Sequence, residues 1–294
     1  MVAVAIANQK GGVGKTTVTL GLAEVAMSHG LRVLVVDCDP QANASAGLGL
    51  STDTKNTLAD VLDREIELSS INAAEYITRS SWSVSAQPMA NKHATPGSID
   101  VISAHPHLTN VETHLASDPI GACDRLDRSL AGIADTYDLI LFDCPPSVGL
   151  LTINALFAAD RVIVVSAPSA WSSDGVQAFM QNVDRIAARR SGQPHVAGII
   201  VNNVGRTRDG RFWESEIIER YKDNVVSIAS RAAIAEASAM STPLSDLGAR
   251  PGAAEAFQNF DEVFLHLIGL EVGELSNSRD HSHNMTAQSI AAAV

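Results

Sequence analysis

The sequence predicts an α/β fold in which a mostly parallel, twisted sheet carries helices on both of its faces. Short apolar runs without a polar face recur along the chain, as expected of strands that are covered from both sides. Helical patterns lie between these runs, so each helix can cross from one parallel strand to the next. The first run leads through a glycine-rich loop into the first helical pattern, and this order is typical of α/β proteins that bind phosphate.

The strands are predicted, in chain order, at residues 2–7, 31–36, 99–103, 138–143, 161–167 and 196–201. Each is a short run of aliphatic, often β-branched residues, which is typical of a buried strand. The helices are predicted at residues 16–29, 58–63, 111–115, 126–133, 175–190 and 253–270. In the first helix Leu20, Ala23 and Met27 recur at helical spacing, and Gly30 follows where helices commonly end.

The domain organisation follows from the distribution of these elements. Residues 1–270 are predicted to form one domain, and residues 271–294 a flexible polar tail. The polar stretch at residues 81–96 is expected to be an excursion on the surface.

Composition and charge exclude several classes of protein. The 294 residues carry a formal charge of −12, so contact with nucleic acid would require a local basic patch. Three cysteines without CxxC spacing indicate a reducing compartment rather than disulfides or a zinc site. No leader precedes the first strand and no apolar run is long enough to span a bilayer, which predicts a cytoplasmic protein.

The loop QKGGVGKTT, which begins at Gln9, has the composition of a phosphate cradle. Its glycines allow successive backbone N–H groups to point at one anion, and the following helix presents its positive end to the same charge. Lys15 can reach the β- and γ-phosphates, and the Thr16 hydroxyl can ligate Mg²⁺. The predicted fold is therefore that of a P-loop NTPase, although Gln9 stands where the usual pattern has glycine. The predicted cofactor-binding residues of the loop are Lys10, Gly11, Gly12, Val13, Gly14, Lys15, Thr16 and Thr17.

Three aspartates stand at the ends of two predicted strands. Asp37 and Asp39 belong to the run DCDPQAN, and Asp143 ends the strand at residues 138–143. Taken alone, such residues also form turns and helix caps. These aspartates occur together with the glycine-rich loop, and open α/β sheets bind ligands at the carboxyl ends of their strands. This combination favours a functional interpretation.

Three motifs together resemble those of the ParA/MinD family of ATPases. KGGVGKTT resembles the family's deviant Walker A box, DCDPQAN its switch I, and DCPPS with the downstream NAL its switch II. The resemblance extends over residues 1–270.

The resemblance implies ATP and Mg²⁺ as cofactors and a weak ATP hydrolase activity that a partner and DNA stimulate. It makes Lys10, Lys15 and Asp39 catalytic, with Asp39 activating the attacking water. The metal would be held by Thr16, Asp37 and Asp143. Asn202 matches the place of a residue that recognises the base, but an asparagine after a strand is equally often a turn former.

The same resemblance implies partners. The signature lysine, Lys10, would cross to the nucleotide of a second subunit, which predicts an ATP-dependent homodimer. The partition branch of the family further implies nonspecific DNA, a centromere-binding (ParB-like) partner protein, and association with the nucleoid. A membrane-binding relative would end in a basic amphipathic helix, whereas residues 276–294 contain a single arginine, so no membrane partner is expected.

Two other functions compete with partition. A metabolic P-loop enzyme, such as an ATP-dependent synthetase or amidoligase, shares the fold, but Lys10 and the DxDPQ run argue against it. A scaffold without hydrolysis is disfavoured because Lys15, Thr16, Asp39 and Asp143 are all present.

One segment of this acidic chain is basic. Residues 185–211 contain six arginines and one acid, which predicts a local patch for DNA phosphates, although a solvated helix end would have the same composition. The predicted DNA-binding residues are Arg185, Arg189, Arg190, Arg206, Arg208 and Arg211.

Overall fold

The computed structural model describes residues 1–51, 55–67, 73–83, 97–118, 121–169 and 172–269. Its strands are β1 (Val2–Ala7), β2 (Arg32–Asp37), β3 (Ile77–Arg79), β4 (Ser98–Ile102), β5 (Leu139–Asp143), β6 (Arg161–Ser166), β7 (His195–Val204) and β8 (Val225–Ala229). Its α-helices are α1 (Lys15–Ser28), α2 (Asn43–Gly47), α3 (Leu58–Glu67), α4 (Leu108–Ala116), α5 (Arg125–Leu130), α6 (Leu150–Ala158), α7 (Ser172–Ala187), α8 (Arg208–Tyr221), α9 (Ala232–Met240) and α10 (Ala253–Leu267).

The eight strands form one sheet in the order β3-β4-β2-β5-β1-β6-β7-β8. All neighbours pair in parallel except β3 and β4, which are antiparallel. The strand β1 lies between β5 and β6. Both of its faces are buried, and its residues are all small or aliphatic, as burial on both faces requires. The predicted mostly parallel α/β fold is confirmed.

Helices cover both faces of the sheet. Alternate residues of β1 point to opposite sides of the sheet. Val4 and Ile6 belong to a core with α1, α2, α9 and α10, and Ala3 and Ala5 belong to a core with the helices from α3 to α8. The helix α1 approaches α10 closely at Gly21, where an added Cβ would lie 2.5 Å from the ring of Phe260. The close packing of α1 against α10 therefore requires glycine at position 21.

A buried carboxylate fastens α1 to the chain before α10. Both oxygens of Glu24 accept backbone hydrogen bonds of 2.8 Å, one from Leu244 and the other from Ser245. Burial raises the pKa of Glu24, and these hydrogen bonds partly offset that effect. The middle of α1 is thus held at a fixed position.

The predicted elements are all present with small shifts at their ends, and six further elements were missed. The missed strands are β3 and β8, which are short and lie at the two edges of the sheet. The missed helices are α2, α6, α8 and α9. The predicted tail at residues 271–294 and most of the predicted excursion, residues 84–96, lie outside the described residues.

Three residues of the predicted excursion are described, and they agree with the surface prediction in part. Ser81 and Ser83 are exposed, whereas Trp82 is buried and its indole donates a hydrogen bond of 3.0 Å to the carbonyl of Ser241. Among the described residues, no helix is both long enough and apolar enough to cross a membrane.

Candidate functional site

The glycine-rich loop joins β1 to α1 at the carboxyl edge of the sheet. Gly12 and Gly14 have φ angles of 73° and 89°, which a residue with a side chain adopts only under strain. An added Cβ at Gly14 would lie 2.0 Å from the amide nitrogen of Asn202, whereas the same addition at Gly12 would meet nothing within 4 Å. The loop is packed against the protein at Gly14 and faces open space at Gly12.

Lys15 begins α1 and turns its amine back over the loop. Its side chain is buried, and Nζ donates to the carbonyl oxygen of Lys10 at 3.3 Å. Burial lowers the pKa of Lys15, while the nearby carboxylate of Asp143 opposes this shift. An anion placed above the loop would stabilise this partly desolvated ammonium group.

Asp143 lies at the end of β5 and faces two threonines of α1. The Thr16 hydroxyl donates to Asp143 Oδ2 at 2.7 Å, and Thr19 Oγ1 lies 3.0 Å from Asp143 Oδ1. The carboxyl group is fully buried, so desolvation raises its pKa, and the neighbouring Asp37 adds to the shift. A bound cation would lower that pKa again.

Asp37 is the register partner of Asp143 on the adjacent strand β2. Its Oδ2 accepts from the backbone N–H of Ser45 at 2.8 Å and from the Ser45 hydroxyl at 2.7 Å, and Oδ1 accepts from the N–H of Asp39 at 3.2 Å. Burial also raises the pKa of Asp37, although these hydrogen bonds counteract it. Asp37 therefore anchors the turn that carries Asp39.

Asp39 lies beyond the end of β2 and is half-buried. Its Oδ1 accepts a hydrogen bond of 3.0 Å from the backbone N–H of Gln41. This contact orients the carboxylate on the same edge of the sheet as the glycine-rich loop, where an attacking water would have to be held.

The side chain of Lys10 forms a hydrogen bond within its own subunit. Its Nζ donates to the Ser169 hydroxyl at 2.7 Å, in the segment after β6. Asn8 supports this part of the loop, because its amide donates to the Val165 carbonyl at 2.7 Å and its Oδ1 accepts from the Lys10 N–H at 3.2 Å. The signature lysine is thus ordered at the rim of the site.

Asn202 lies within β7 and does not form a turn. Its side chain is buried and donates to the Val13 carbonyl at 3.0 Å. This hydrogen bond attaches the glycine-rich loop to β7. The turn interpretation is wrong because β7 continues to Val204. Recognition of a base by Asn202 stays a prediction.

The six arginines do not form one patch. Arg185, Arg189 and Arg190 lie at or after the end of α7, before β7 begins, whereas the other three follow the end of β7. The ten residues of β7 separate the two groups by roughly 30 Å, because a strand rises about 3.3 Å per residue. We name them the amino-edge group (Arg185, Arg189 and Arg190) and the carboxyl-edge group (Arg206, Arg208 and Arg211).

Arg190 also differs from the other five in its contacts. Its guanidinium donates to the carbonyl oxygens of Leu156 and Ala159 at 3.3 and 2.6 Å, and its charge acts on Asp127. These contacts satisfy the C-terminal end of α6. The other five arginines are exposed. The prediction of one continuous basic patch is therefore wrong, while DNA binding by the exposed arginines stays a prediction.

The structure brings the loop residues, the three aspartates and Asn202 together at one edge of the sheet. Four residues that complete this site were not predicted: Asn8, Thr19, Ser45 and Ser169. Helical spacing could have indicated Thr19, which follows Thr16 by three residues and so lies on the same face of α1. Sequence spacing offers no such signal for Ser169, which is distant from Lys10 along the chain.

The residues present fit a nucleotide with a divalent cation. A hydroxyl and two buried carboxylates form a set of hard oxygen donors, which suits Mg²⁺. Because the proton of Thr16 is directed at Asp143, the lone pairs of its oxygen are left for a cation. Open space at Gly12, the turned-back Lys15 amine and the start of α1 suit the phosphates.

Comparison with known proteins decides the family. The family described as AAA domain matches residues 1–194. The chain is 30% identical over 257 residues to the chromosome-partitioning ATPase Soj of Treponema pallidum, covering 85% of this chain and 92% of that protein. It is 35% identical over 205 residues to the chromosome partitioning protein ParA of Caulobacter vibrioides, covering 69% of each.

The chain belongs to the ParA-type partition ATPases. Solved structures agree in fold: McdA of Cyanothece, without nucleotide, superposes with a TM-score of 0.74 at 21% identity, over 90% of this chain and 99% of that one. Cobyrinic acid a,c-diamide synthase of Mycobacterium smegmatis, solved with an ATP analogue and magnesium, gives 0.68 at 24% identity, over 90% and 95%. At these identities the two structures establish the P-loop fold of this family member and no activity.

Proposed function

We propose that this family member is an ATPase that partitions plasmids or chromosomes, or positions another cargo, through a cycle of ATP-dependent dimerisation and nonspecific DNA binding. The observation that carries the proposal is the convergence of Lys15, the Thr16–Asp143 pair and Asp39 on one edge of the sheet. The resemblance to Soj and ParA supports partition as the use of this site. The ATPase domain is assigned to residues 1–270 and the tail to residues 271–294.

Each residue of the site has a physical task in hydrolysis. Bound ATP would supply the γ-phosphoryl group, and Mg²⁺ would neutralise part of its charge. The backbone of the glycine-rich loop and Lys15 would bind and orient the phosphates. Thr16, Asp37 and Asp143 would hold the metal. Asp39 orients the attacking water, which makes hydrolysis depend on its carboxylate.

Stimulation of turnover separates this proposal from the synthetase alternative. The likeness in fold to cobyrinic acid a,c-diamide synthase is the observation that favours the alternative. We expect weak ATP hydrolysis that double-stranded DNA and a ParB-like partner increase, because a partition ATPase is regulated by its cargo complex. Phosphate release is measured with DNA, with the protein encoded beside this gene, and with a panel of small carboxylic acids. Turnover that requires a small acid and ignores DNA would establish the alternative.

Dimerisation is expected to depend on Lys10. In the proposed dimer the Lys10 amine leaves Ser169 and binds the nucleotide of the second subunit, so ATP joins the subunits by linkage. Lys10→Ala should abolish the doubling of mass that ATP produces, while ADP still binds. Multi-angle light scattering with ATP and with ADP measures this, in an Asp39→Ala background that prevents hydrolysis during the run.

The matched control for this experiment is Ser169→Ala. It removes the contact within the chain but leaves the lysine, so the ATP-dependent doubling should persist. Equal masses with ATP and ADP for the chain with Lys10 intact would contradict the dimer. Doubling by Lys10→Ala would contradict the role of the lysine and leave the dimer standing.

DNA is proposed to bind at the exposed arginines, and the carboxyl-edge group is the stronger candidate. It follows β7 on the same edge as the nucleotide site, so a dimer joined there would bring two copies of this group to one side. Association with the nucleoid would follow from such nonspecific binding. A centromere-binding protein is the proposed partner that links the DNA-bound ATPase to its cargo.

A further inference from the structure

Asp143 is held by two threonines of one helix rather than by Thr16 alone. Thr19 is fully buried, and its Oγ1 lies 3.0 Å from Asp143 Oδ1, while Thr16 occupies Oδ2 at 2.7 Å. Each carboxylate oxygen therefore has its own hydroxyl. The two threonines are three residues apart, so a single turn of α1 presents both to the end of β5.

The Thr19 hydroxyl has a second neighbour, the carbonyl oxygen of Lys15 at 3.1 Å. Threonines inside helices often donate to the carbonyl four residues earlier, and this contact alone would be a local structural feature. The hydroxyl carries one proton, however, and a carboxylate is the stronger acceptor of the two. The proton of Thr19 is therefore directed to Asp143 when the carboxyl group is ionised.

We propose that Thr19 is a positioning residue that fixes the plane of the Asp143 carboxylate for Mg²⁺-bound nucleotide. This role rests on the proposed function. A carboxylate held at one oxygen can rotate about its Cβ–Cγ bond, and a bond to each oxygen prevents that rotation. Thr16 is itself a proposed metal ligand, whereas Thr19 is fully buried and contacts the other carboxylate oxygen, Oδ1.

The expected effect is on metal affinity more than on nucleotide binding. Removing a group that orients a metal ligand typically weakens metal affinity or activity by about 10–100-fold. The phosphates would be bound mainly by the N–H groups of the loop and by the Lys15 amine, whereas the Thr19 hydroxyl contacts Lys15 at its carbonyl oxygen. Binding of ADP without Mg²⁺ should therefore persist. A loss of Mg²⁺ affinity with unchanged ADP binding can therefore be distinguished from a general loss of stability.

The test is a Mg²⁺ titration of thermal unfolding in the presence of ADP, with a parallel series in EDTA. For Thr19→Val, ADP in EDTA should stabilise the protein as much as it stabilises the wild type. Adding Mg²⁺ should stabilise it further, and the Mg²⁺ concentration that gives half of this second effect should be about tenfold higher or more. Thr19→Ser keeps the hydroxyl and should restore the wild-type concentration to within about threefold. Thr19→Ala is the second variant if the valine variant does not fold.

The matched control is Ser129→Ala on α5. Ser129 is buried and donates to the carbonyl four residues earlier at 2.8 Å, but it has no part in the nucleotide site. It should lower the free energy of unfolding without changing the Mg²⁺ concentration that gives half of the Mg²⁺-dependent stabilisation. If that concentration is the same as in wild type for both Thr19→Val and Thr19→Ala, the proposed role of Thr19 is wrong. A wild-type protein without any Mg²⁺-dependent step would overturn the proposed function and this role with it.

Discussion

Asp39→Ala is expected to bind ATP with Mg²⁺ about as well as the wild-type chain and to hydrolyse it on the order of 10²–10⁴ times more slowly. The glycine-rich loop, Lys15 and the Thr16–Asp143 pair all remain in this variant, so binding survives. The carboxylate that would orient the water is lost. Single-turnover hydrolysis and fluorescent-nucleotide binding, measured side by side, separate the two effects.

Two variants serve as controls for this prediction. Asp39→Asn keeps the shape and the hydrogen bond from the Gln41 N–H but cannot take a proton, so it should also lose turnover. Lys15→Ala should lose binding as well, because its amine reaches over the loop. Hydrolysis by Asp39→Ala at the wild-type rate would show that the assignment of Asp39 is wrong.

DNA binding is expected to show the second large effect, a steep dependence on salt. Three exposed arginines of the carboxyl-edge group in each subunit give six potential phosphate contacts in a dimer. Proteins with this number of contacts lose about 10³-fold or more in affinity between about 50 and 200 mM salt. Arginine pairs with phosphate independently of base sequence, so unrelated DNA sequences should bind alike.

Two sets of substitutions distinguish the arginine groups. Arg206→Ala/Arg208→Ala/Arg211→Ala should flatten the salt dependence and weaken binding of the ATP-bound protein. Arg185→Ala/Arg189→Ala tests the amino-edge group, and Arg190 is left intact because its guanidinium supports the end of α6. Unchanged binding by the triple variant would remove the carboxyl-edge group from the proposal. Failure of ATP-bound wild type to bind at low salt would remove DNA binding altogether.

The sequence predicted most of the fold because buried strands and helix-ending glycines are local patterns. The central strands and the long helices α1, α7 and α10 are recognisable in this way. The strand β8 was missed because its short sequence VVSIA follows a polar helix, and α8 was missed because its residues are mainly polar and charged. Such elements are stabilised by neighbours that lie elsewhere in the chain.

The site was predictable where one motif supplies both the residue and its neighbours. The loop from Lys10 to Thr17 belongs to this class, and so do Asp37 and Asp143 at the ends of their strands. Ser169 and the bond from Asn202 to Val13 depend on which strands lie side by side. The division of the arginines has the same cause, since spacing along the chain does not show that a strand runs between them.

The order of the strands also limits how much error the site tolerates. Asp37 and Asp143 are register partners, and β1 lies between β5 and β6, so ladder hydrogen bonds set the relative height of these groups. A slip of one residue between neighbouring strands would turn a side chain to the opposite face of the sheet. The alignment of the proposed metal and phosphate contacts thus depends on backbone pairing deep in the sheet. A packing defect several residues below the edge would misalign the groups that we propose to bind the nucleotide.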